Sequence, residues 1–205
     1  MRIVARSFRT AAVRAVVLAC TLGCDTKTKE QKEKSDVRMA PEIATEFQKR
    51  VNAYASFSLK LAATLPKLPK EATPQQIDQD QRAFEKLVVQ ERRDAKPGDL
   101  FIPEMQTYVR TLLADVFEGP LGAAERKAVH DEPHPVRPVI NKRYPDDVPL
   151  STMPPRLLAN LPKLPDQLEY RFVHNDLILM DVHAHIILDF IADAMAPAPA
   201  PPSQH

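Results

Sequence analysis

The chain has 205 residues, of which 44% are hydrophobic, 27% charged and 6% aromatic. A length near that of one domain allows a hydrophobic core that is stable without a disulfide or a metal. Three of the four glycines lie beyond residue 23, and no two of these have a phosphate-binding spacing. This scarcity excludes nucleotide-binding loops of the Walker or Rossmann kind.

The first 24 residues have the pattern of an export signal. Four arginines and no acidic residue precede an apolar stretch at 15–23. That stretch is too short to span a bilayer, which needs about 20 apolar residues, but it is long enough for the core of a signal peptide. The sequence therefore predicts a protein exported to the cell envelope, with residues 1–23 as the signal peptide.

The tripeptide LGC at 22–24 resembles the lipobox of bacterial lipoproteins. The resemblance implies cleavage before Cys24 and lipidation of this cysteine, although Thr21 stands where that family usually has leucine. A second match ends at Cys20, but cleavage there would leave an apolar core of only five residues, 15–19. The alternative is an ordinary secretory signal without a lipid.

Segments of low apolar content flank the predicted folded part. Residues 25–38 mix acidic and basic side chains with a single apolar residue, and residues 196–205 are rich in proline and alanine. Neither segment has the apolar surface needed to offset ordering entropy. We therefore expect a flexible tether at 24–39, a disordered tail at 196–205, and one folded domain at 40–195, divided into a helical part (40–131) and an α/β part (132–195).

Removal of the signal changes the charge balance. The remaining chain has 24 Lys and Arg against 27 Asp and Glu, a net charge of about −3 with neutral histidines. It therefore lacks the basic surface expected of a nucleic-acid-binding protein. Because Cys24 is the only cysteine left, cysteine nucleophiles, disulfides and cysteine-based zinc sites are excluded as well.

Apolar periodicity and start signals predict three or four helices in the first half. Apolar residues recur every three or four positions over 43–65, between Pro41 and Pro66, which predicts a first helix. The sequence TPQQ at 73–76 combines an N-cap threonine, a first-turn proline and a capping-box glutamine, so a second helix is expected to run to about residue 95. A third is predicted over 103–119 and a short fourth over 121–130, with antiparallel packing through short connections.

A proline-rich segment, which we call the strap, follows at 133–155 and contains seven prolines. Proline lacks a backbone N–H, so the strap is expected to be irregular, with at most a short strand at 136–141 and a brief helix opening at 152–155. The strap also presents Arg143, Tyr144, Asp146 and Asp147 on a backbone stiffened by proline, which suits a partner-binding surface. The alternative is a structural wrap over the helices.

Three six-residue segments, 168–173, 177–182 and 186–191, are separated by three residues each. Alternating apolar residues in the first and β-branched residues in the others predict a three-stranded antiparallel meander. The third segment also fits a helical face, with Asp181 as its N-cap, and this alternative leaves a two-stranded hairpin. Either arrangement gives an α+β fold.

The sequence DVHAH at 181–185 carries the strongest chemical signal. It is similar to the D-x-H-x-H strand end of metal-dependent amidohydrolases, but that family needs a β/α barrel downstream and only 20 residues follow, so we exclude it. His183 and His185, with Asp181 or Asp189, remain a candidate site for a divalent metal if they share one strand face or a tight turn. The alternative is a solvated turn, or a helix face with His185 beside Asp189.

Two further resemblances concern the C-terminal half. The order LPKLP, YRFV, LILMDV and IILDFI over 161–191 resembles the small C-terminal β-unit of periplasmic nickel/cobalt homeostasis proteins, although His185 stands where a turn glycine is common there. More broadly, the whole chain after the signal is similar to bacterial exported proteins of uncharacterised function that have the same type of core as STMPPRLLANLPKLPDQLEYRF at 151–172. These resemblances imply an exported protein but no reaction.

Three functions from different classes agree with the sequence. The first is a non-catalytic envelope protein, anchored to the membrane through a lipid on Cys24, that binds another envelope protein or has a structural role. The second is a periplasmic protein that binds a divalent metal through His183 and His185, the one cofactor that the sequence suggests. The third, an enzyme of unrecognised type, has the least support because no serine lies in a nucleophile motif.

Overall fold

A computed structural model of the chain describes residues 37–130, 137–149, 151 and 153–196. The signal peptide, Cys24 and most of the predicted tether lie outside the described residues. In chain order the elements are α1 (Pro41–Ala62), α2 (Pro74–Glu91), α3 (Pro103–Val116), α4 (Gly119–His130), the one-turn helix α5 (Pro155–Leu158), β1 (Leu168–Val173), β2 (Asp176–Asp181) and β3 (Ile186–Ile191). The fold is α+β, as the sequence predicts. None of the described helices combines the length and the apolar content that a membrane span requires.

The first three helices begin at their predicted prolines but end earlier than predicted. The capping box of α2 is present: the Gln76 N–H donates to Thr73 Oγ1, and the Thr73 N–H donates to Gln76 Oε1. These helices end at 62, 91 and 116 instead of about 65, 95 and 119. The residues beyond α1 and α2 continue as tight turns with i→i−3 hydrogen bonds, such as Thr64 N–H to Leu61 O, which satisfy the last carbonyls without extending the helix.

The sheet is an antiparallel meander in the order β1-β2-β3. The third segment is therefore a strand and not the alternative helix. One face of the sheet packs against the helices and forms the main core. That core includes Phe47, Val51, Phe84, Val88, Met105, Val109 and Leu112 from the helices and Tyr170, Phe172, Leu177 and Leu179 from the sheet.

The opposite face of the sheet has a second, smaller core. It comprises Tyr144 from the strap together with Val173, Ile178, Met180 and Ile187 from the sheet. The strap therefore covers the outer face of the sheet, whereas the alternative prediction placed it over the helices. Because both faces of β2 are covered, four of its six residues are fully buried and apolar, at 177–180.

A β-bulge interrupts the pairing of β2 with β3. Leu179 lies opposite Asp189 but Met180 lies opposite Ile187, so Leu188 is the extra residue. A bulge of this kind interrupts the alternation of side chains between the two faces of the sheet. Here Leu188 lies in the main core, and the neighbouring Asp189 is fully buried as well. The bulge thus brings a carboxylate into the interior on the helical side.

The strap contains no strand at 137–141, the described part of the region where the sequence allowed one. From Asn141 onward the strap runs beside β3 and is joined to it by backbone hydrogen bonds. The Asn141 N–H donates to Ile187 O at 2.8 Å, and the Tyr144 N–H donates to His185 O at 2.8 Å. Asn141 has a φ of 60°, a left-handed conformation that breaks an extended run. The pairing is therefore limited to a single bridge, Arg143 with Ile186.

Candidate functional site

The turn between β2 and β3, residues 182–185, meets the strap and α2 at one place, which we call the junction. It comprises this turn, strap residues 143–147 and the α2 residues Asp78, Asp80, Gln81, Arg82 and Glu85. The guanidinium of Arg143 donates from Nη1 to the Ala184 carbonyl at 3.1 Å, so strap and turn are in direct contact. The structure therefore brings together the predicted metal-ligating residues and the predicted partner-binding residues.

Asp181 is fully buried at the end of β2, and its carboxylate is saturated with hydrogen bonds. Oδ2 accepts from the Tyr54 hydroxyl at 2.7 Å and from the Ser58 hydroxyl at 3.1 Å. Oδ1 accepts from the backbone N–H groups of His183 at 2.8 Å and Ala184 at 2.7 Å. A carboxylate has about four lone-pair sites, and all are used here to shape the turn and to hold it against α1.

Burial raises the pKa of Tyr54 far above its usual range, and the negative charge and hydrogen bond of Asp181 raise this pKa further. The Tyr54 hydroxyl is therefore a permanent donor that is not titrated under ordinary conditions. Tyr54 therefore acts as a hydrogen-bond donor from α1 to the turn.

His183 contacts α2. Its Nε2 lies 2.7 Å from Asp80 Oδ2, and its ring stacks on Phe84 with 4.2 Å between ring centroids. The His183 side chain is 38% exposed and that of Asp80 is 14% exposed, so solvent reaches one side of this pair. The pair can offer two ligands to an ion.

His185 contacts the strap instead. Its φ of 57° is left-handed, which is why related turns favour glycine at such a position. Its Nδ1 lies 3.5 Å from Asp146 Oδ1, within ion-pair range, but without the geometry of a hydrogen bond. The two rings therefore have different neighbours, because a turn does not give the same-side alternation that a strand would give to DVHAH.

These placements bear on the predicted metal ligands. Within 37–130, 137–149, 151 and 153–196 there is no group of three or more His, Cys, Asp or Glu that could hold a metal ion. Asp181 is engaged in four hydrogen bonds, and Asp189 lies elsewhere, below the α2–α3 loop. Of the predicted ligands, only His183 and His185 have partly exposed side chains. His183 lies beside Asp80, which the sequence did not identify, and His185 lies beside Asp146, which it identified as a partner-binding residue.

Arg143 is the centre of the junction, with a side chain only 12% exposed. It donates to Asp146 Oδ1 at 2.8 Å, to Gln81 Oε1 at 3.3 Å and to Glu85 Oε2 at 3.4 Å. The hydrogen bond from Arg143 lowers the pKa of Asp146, although Asp146 is itself largely solvated. Arg143 thus ties the strap to α2 and the turn at the same time.

Tyr144 and Asp147 complete the predicted partner-binding set but lie differently from Arg143. Tyr144 is 2% exposed, and its hydroxyl donates to Pro149 O at 3.1 Å, so it anchors the strap in the second core and does not face a partner. Burial between strap and sheet removes the large apolar ring of Tyr144 from water while its hydroxyl keeps a hydrogen-bond partner. Asp147 is exposed at the surface.

Sequence reasoning missed Arg92 altogether, and it considered Asp189 only as a metal ligand or as a helix neighbour of His185. Arg92 donates from Nη1 to Asn141 Oδ1 at 3.0 Å and from Nη2 to Leu188 O at 3.1 Å, and burial lowers its pKa. Asp189 accepts backbone N–H bonds from the α2–α3 loop. The wide polar face of α2 was a signal for Asp80 and Glu85, but nothing local marked Arg92, whose partners lie 49 and 96 residues away.

In comparisons with known proteins, no family model, no curated protein and no solved structure matched the chain.

Proposed function

We propose that the protein is a bacterial envelope lipoprotein, exported and anchored to the membrane through a lipid on Cys24, that acts by binding and not by catalysis. The observation that carries this proposal is the network around Arg143, which holds the strap at a fixed position while leaving acidic side chains at the surface. Binding surfaces gain affinity when their groups are held in place before the partner arrives.

The charges of the junction suggest the chemistry of the partner. Five acids stand against two arginines, a surplus of three negative charges with neutral histidines. The acids are Asp78, Asp80, Glu85, Asp146 and Asp147, and the arginines are Arg82 and Arg143. Such a surface favours a basic segment of another envelope protein, since complementary charge steers association and disfavours acidic partners.

The contacts of the buried and half-buried polar groups favour binding over catalysis. The rings of His183 and His185 face carboxylates, so neither activates a serine or threonine hydroxyl. The Ser58 hydroxyl donates to the saturated carboxylate of Asp181, and Ser58 is 2% exposed. A nucleophile needs a base within hydrogen-bond reach, and the described polar groups of the junction do not supply that pair.

The lipid anchor is tested by metabolic labelling with a clickable palmitate analogue in cells that express the full chain. We expect label on the wild type and on the Cys20→Ser variant, and none on Cys24→Ser, which should also leave the membrane fraction. Label that persists on Cys24→Ser would show that the lipobox assignment is wrong.

The acidic surface is tested by titrating the protein with a hexalysine peptide at low salt, followed by calorimetry. Asp78→Asn combined with Asp147→Asn should weaken binding roughly two- to fivefold, because each removes one exposed charge. The control, Asp94→Asn with Glu42→Gln, removes two exposed charges outside the junction. Equal binding of hexaglutamate, or equal effects of both variants, would contradict a basic partner.

Divalent-metal binding is a second candidate, and the convergence of His183 and Asp80 at 2.7 Å favours it. A metal present at 100 times its dissociation constant adds about 2.7 kcal/mol to the stability of the folded state, which raises Tm by roughly 5 to 10 °C for a chain of this size. The measurement is the Tm of the full chain with and without Ni²⁺, Co²⁺ or Zn²⁺. A rise that disappears in His183→Ala/His185→Ala would favour this candidate, and no rise in either protein would remove it.

A further inference from the structure

A cavity of about 120 Å³ lies between the strap and the outer face of the sheet, and it is largely enclosed. Its apolar wall is formed by Val139 and Pro145 from the strap and by Val173 and Ile187 from the sheet. Val173 and Ile187 also belong to the second core, so the cavity is an unfilled part of that core beside the junction.

Native protein interiors are close-packed and leave few voids larger than a water molecule. A water molecule needs two to four polar partners, and the wall of this cavity is almost entirely apolar. An apolar cavity of about 150 Å³ stays dry and accepts a benzene-sized molecule. The size and polarity of this cavity therefore suit a small apolar group better than they suit water.

The charge around the cavity is positive. Arg137 and Lys142 line it, and both are exposed residues. Neither forms an ion pair with another residue that the structure describes. Arg137 acts on Asp176 at longer range: its charge lowers the pKa of Asp176, but burial raises this pKa more strongly. Long cationic side chains place an apolar stem along a wall and keep the charged head at the water boundary, where it can meet an anion.

We infer that this cavity binds a small carboxylate whose apolar body is about the size of a benzene ring. The ring would occupy the space between Val173 and Ile187, and the carboxylate would lie at the mouth, near Arg137 and Lys142. Arg143 also lines the cavity, but its charge is paired with Asp146 at 2.8 Å, which leaves Arg137 and Lys142 as the cations of the lining that can meet an anion. This site differs in sign from the acidic junction, and it stands or falls independently of the anchor and of the basic partner.

The test is an NMR titration of the full chain with benzoate, in which the methyl signals of Val173 and Ile187 report on the cavity. Benzoate should give saturable shifts at concentrations of about 10 mM or below, and benzylamine, which has the same ring and the opposite charge, should not. Arg137→Gln/Lys142→Gln should weaken benzoate binding about tenfold, because two charge-assisted contacts are lost. Lys67→Gln/Lys163→Gln removes the same charge from other exposed positions and should leave the affinity unchanged.

A second variant separates the cavity from other surfaces. Val139 is 49% exposed, so Val139→Trp can close the mouth without disturbing either core, which an unchanged Tm would verify. Benzoate binding should then be abolished. The inference is overturned if the methyl signals of Val173 and Ile187 do not shift with benzoate, if benzylamine binds equally well, or if Val139→Trp binds benzoate like the wild type.

Discussion

Asp189 holds the loop between α2 and α3 to the sheet, and its replacement should cost more stability than that of any exposed acid. The carboxylate is fully buried. Oδ1 accepts from the N–H groups of Gly98 at 3.0 Å and Phe190 at 2.8 Å, and Oδ2 accepts from those of Leu100 and Phe101, both at 2.8 Å. In Asp189→Asn the shape is kept, but one oxygen becomes an amide that donates, so two of the four N–H groups lose their acceptor.

Each buried donor that is left without an acceptor costs about 1 to 3 kcal/mol, so the substitution should lower the free energy of unfolding by roughly 2 to 6 kcal/mol. At about 2 to 4 °C per kcal/mol for a chain of this size, the corresponding fall in Tm is roughly 4 to 24 °C. The assay is equilibrium urea denaturation of the full chain at neutral pH, followed by circular dichroism, with the midpoint and slope fitted separately.

The matched control is Asp94→Asn. This substitution removes the same charge, but the Asp94 side chain is 93% exposed. The free energy of unfolding should therefore change by no more than about 0.5 kcal/mol. If Asp189→Asn is as stable as this control, the four N–H contacts do not hold the loop, and the reasoning is refuted.

Three further substitutions test the same interior. Tyr54→Phe removes one of the two hydroxyl donors to Asp181 and should lower the free energy of unfolding by about 1.5 to 3 kcal/mol in urea, whereas a loss below about 0.5 kcal/mol would contradict the contact. Arg92→Lys replaces the guanidinium by a single ammonium group, so the hydrogen bond to Asn141 or the one to Leu188 O is lost. A fall in the free energy of unfolding similar to that of Tyr54→Phe is expected from urea denaturation. Burial raises the pKa of Asp176, so its contribution to stability is present below the ordinary Asp pKa and is lost as pH rises through the folded value. The urea midpoint of Asp176→Asn should therefore rise relative to that of the wild type as the pH increases from about 3 to 7. If the midpoints of the two proteins change in parallel with pH, the pKa of Asp176 is not raised.

The secondary structure could be predicted largely from local patterns. The alternation of Leu168, Tyr170 and Phe172 identified β1 with its observed bounds, and the capping box located the start of α2. The bulge at Leu188 could not be predicted, because it depends on how β3 pairs with β2 and leaves the apolar content of the segment unchanged. The sequence allowed at most a short strand at 136–141, and the described residues 137–141 form none. Asn141 has a φ of 60°, a left-handed conformation that asparagine tolerates better than most residues, but the residue type alone does not show that it adopts this conformation.

The candidate site was predictable as a set of residues but not as an arrangement. The histidines of DVHAH and the charged residues of the strap were identified separately, and the structure places them side by side. Their partners on α2 are remote in sequence: Asp80 is 103 residues from His183. A single sequence carries no information about such pairs, because the spacing of residues within one element says nothing about which element packs against it.

Two buried carboxylates fix the sheet relative to the helices. Asp181 ties the turn to α1, and Asp189 ties β3 to the loop after α2, both through directional donors that an apolar contact could not replace. The charge of Arg92 acts on both carboxylates and offsets part of the cost of burying them. The exposed pairs of the junction, such as Arg82 with Asp78, contribute little to stability by comparison. The buried charged residues therefore set the position of the turn and strap, and the exposed acids of the junction contribute little to that position.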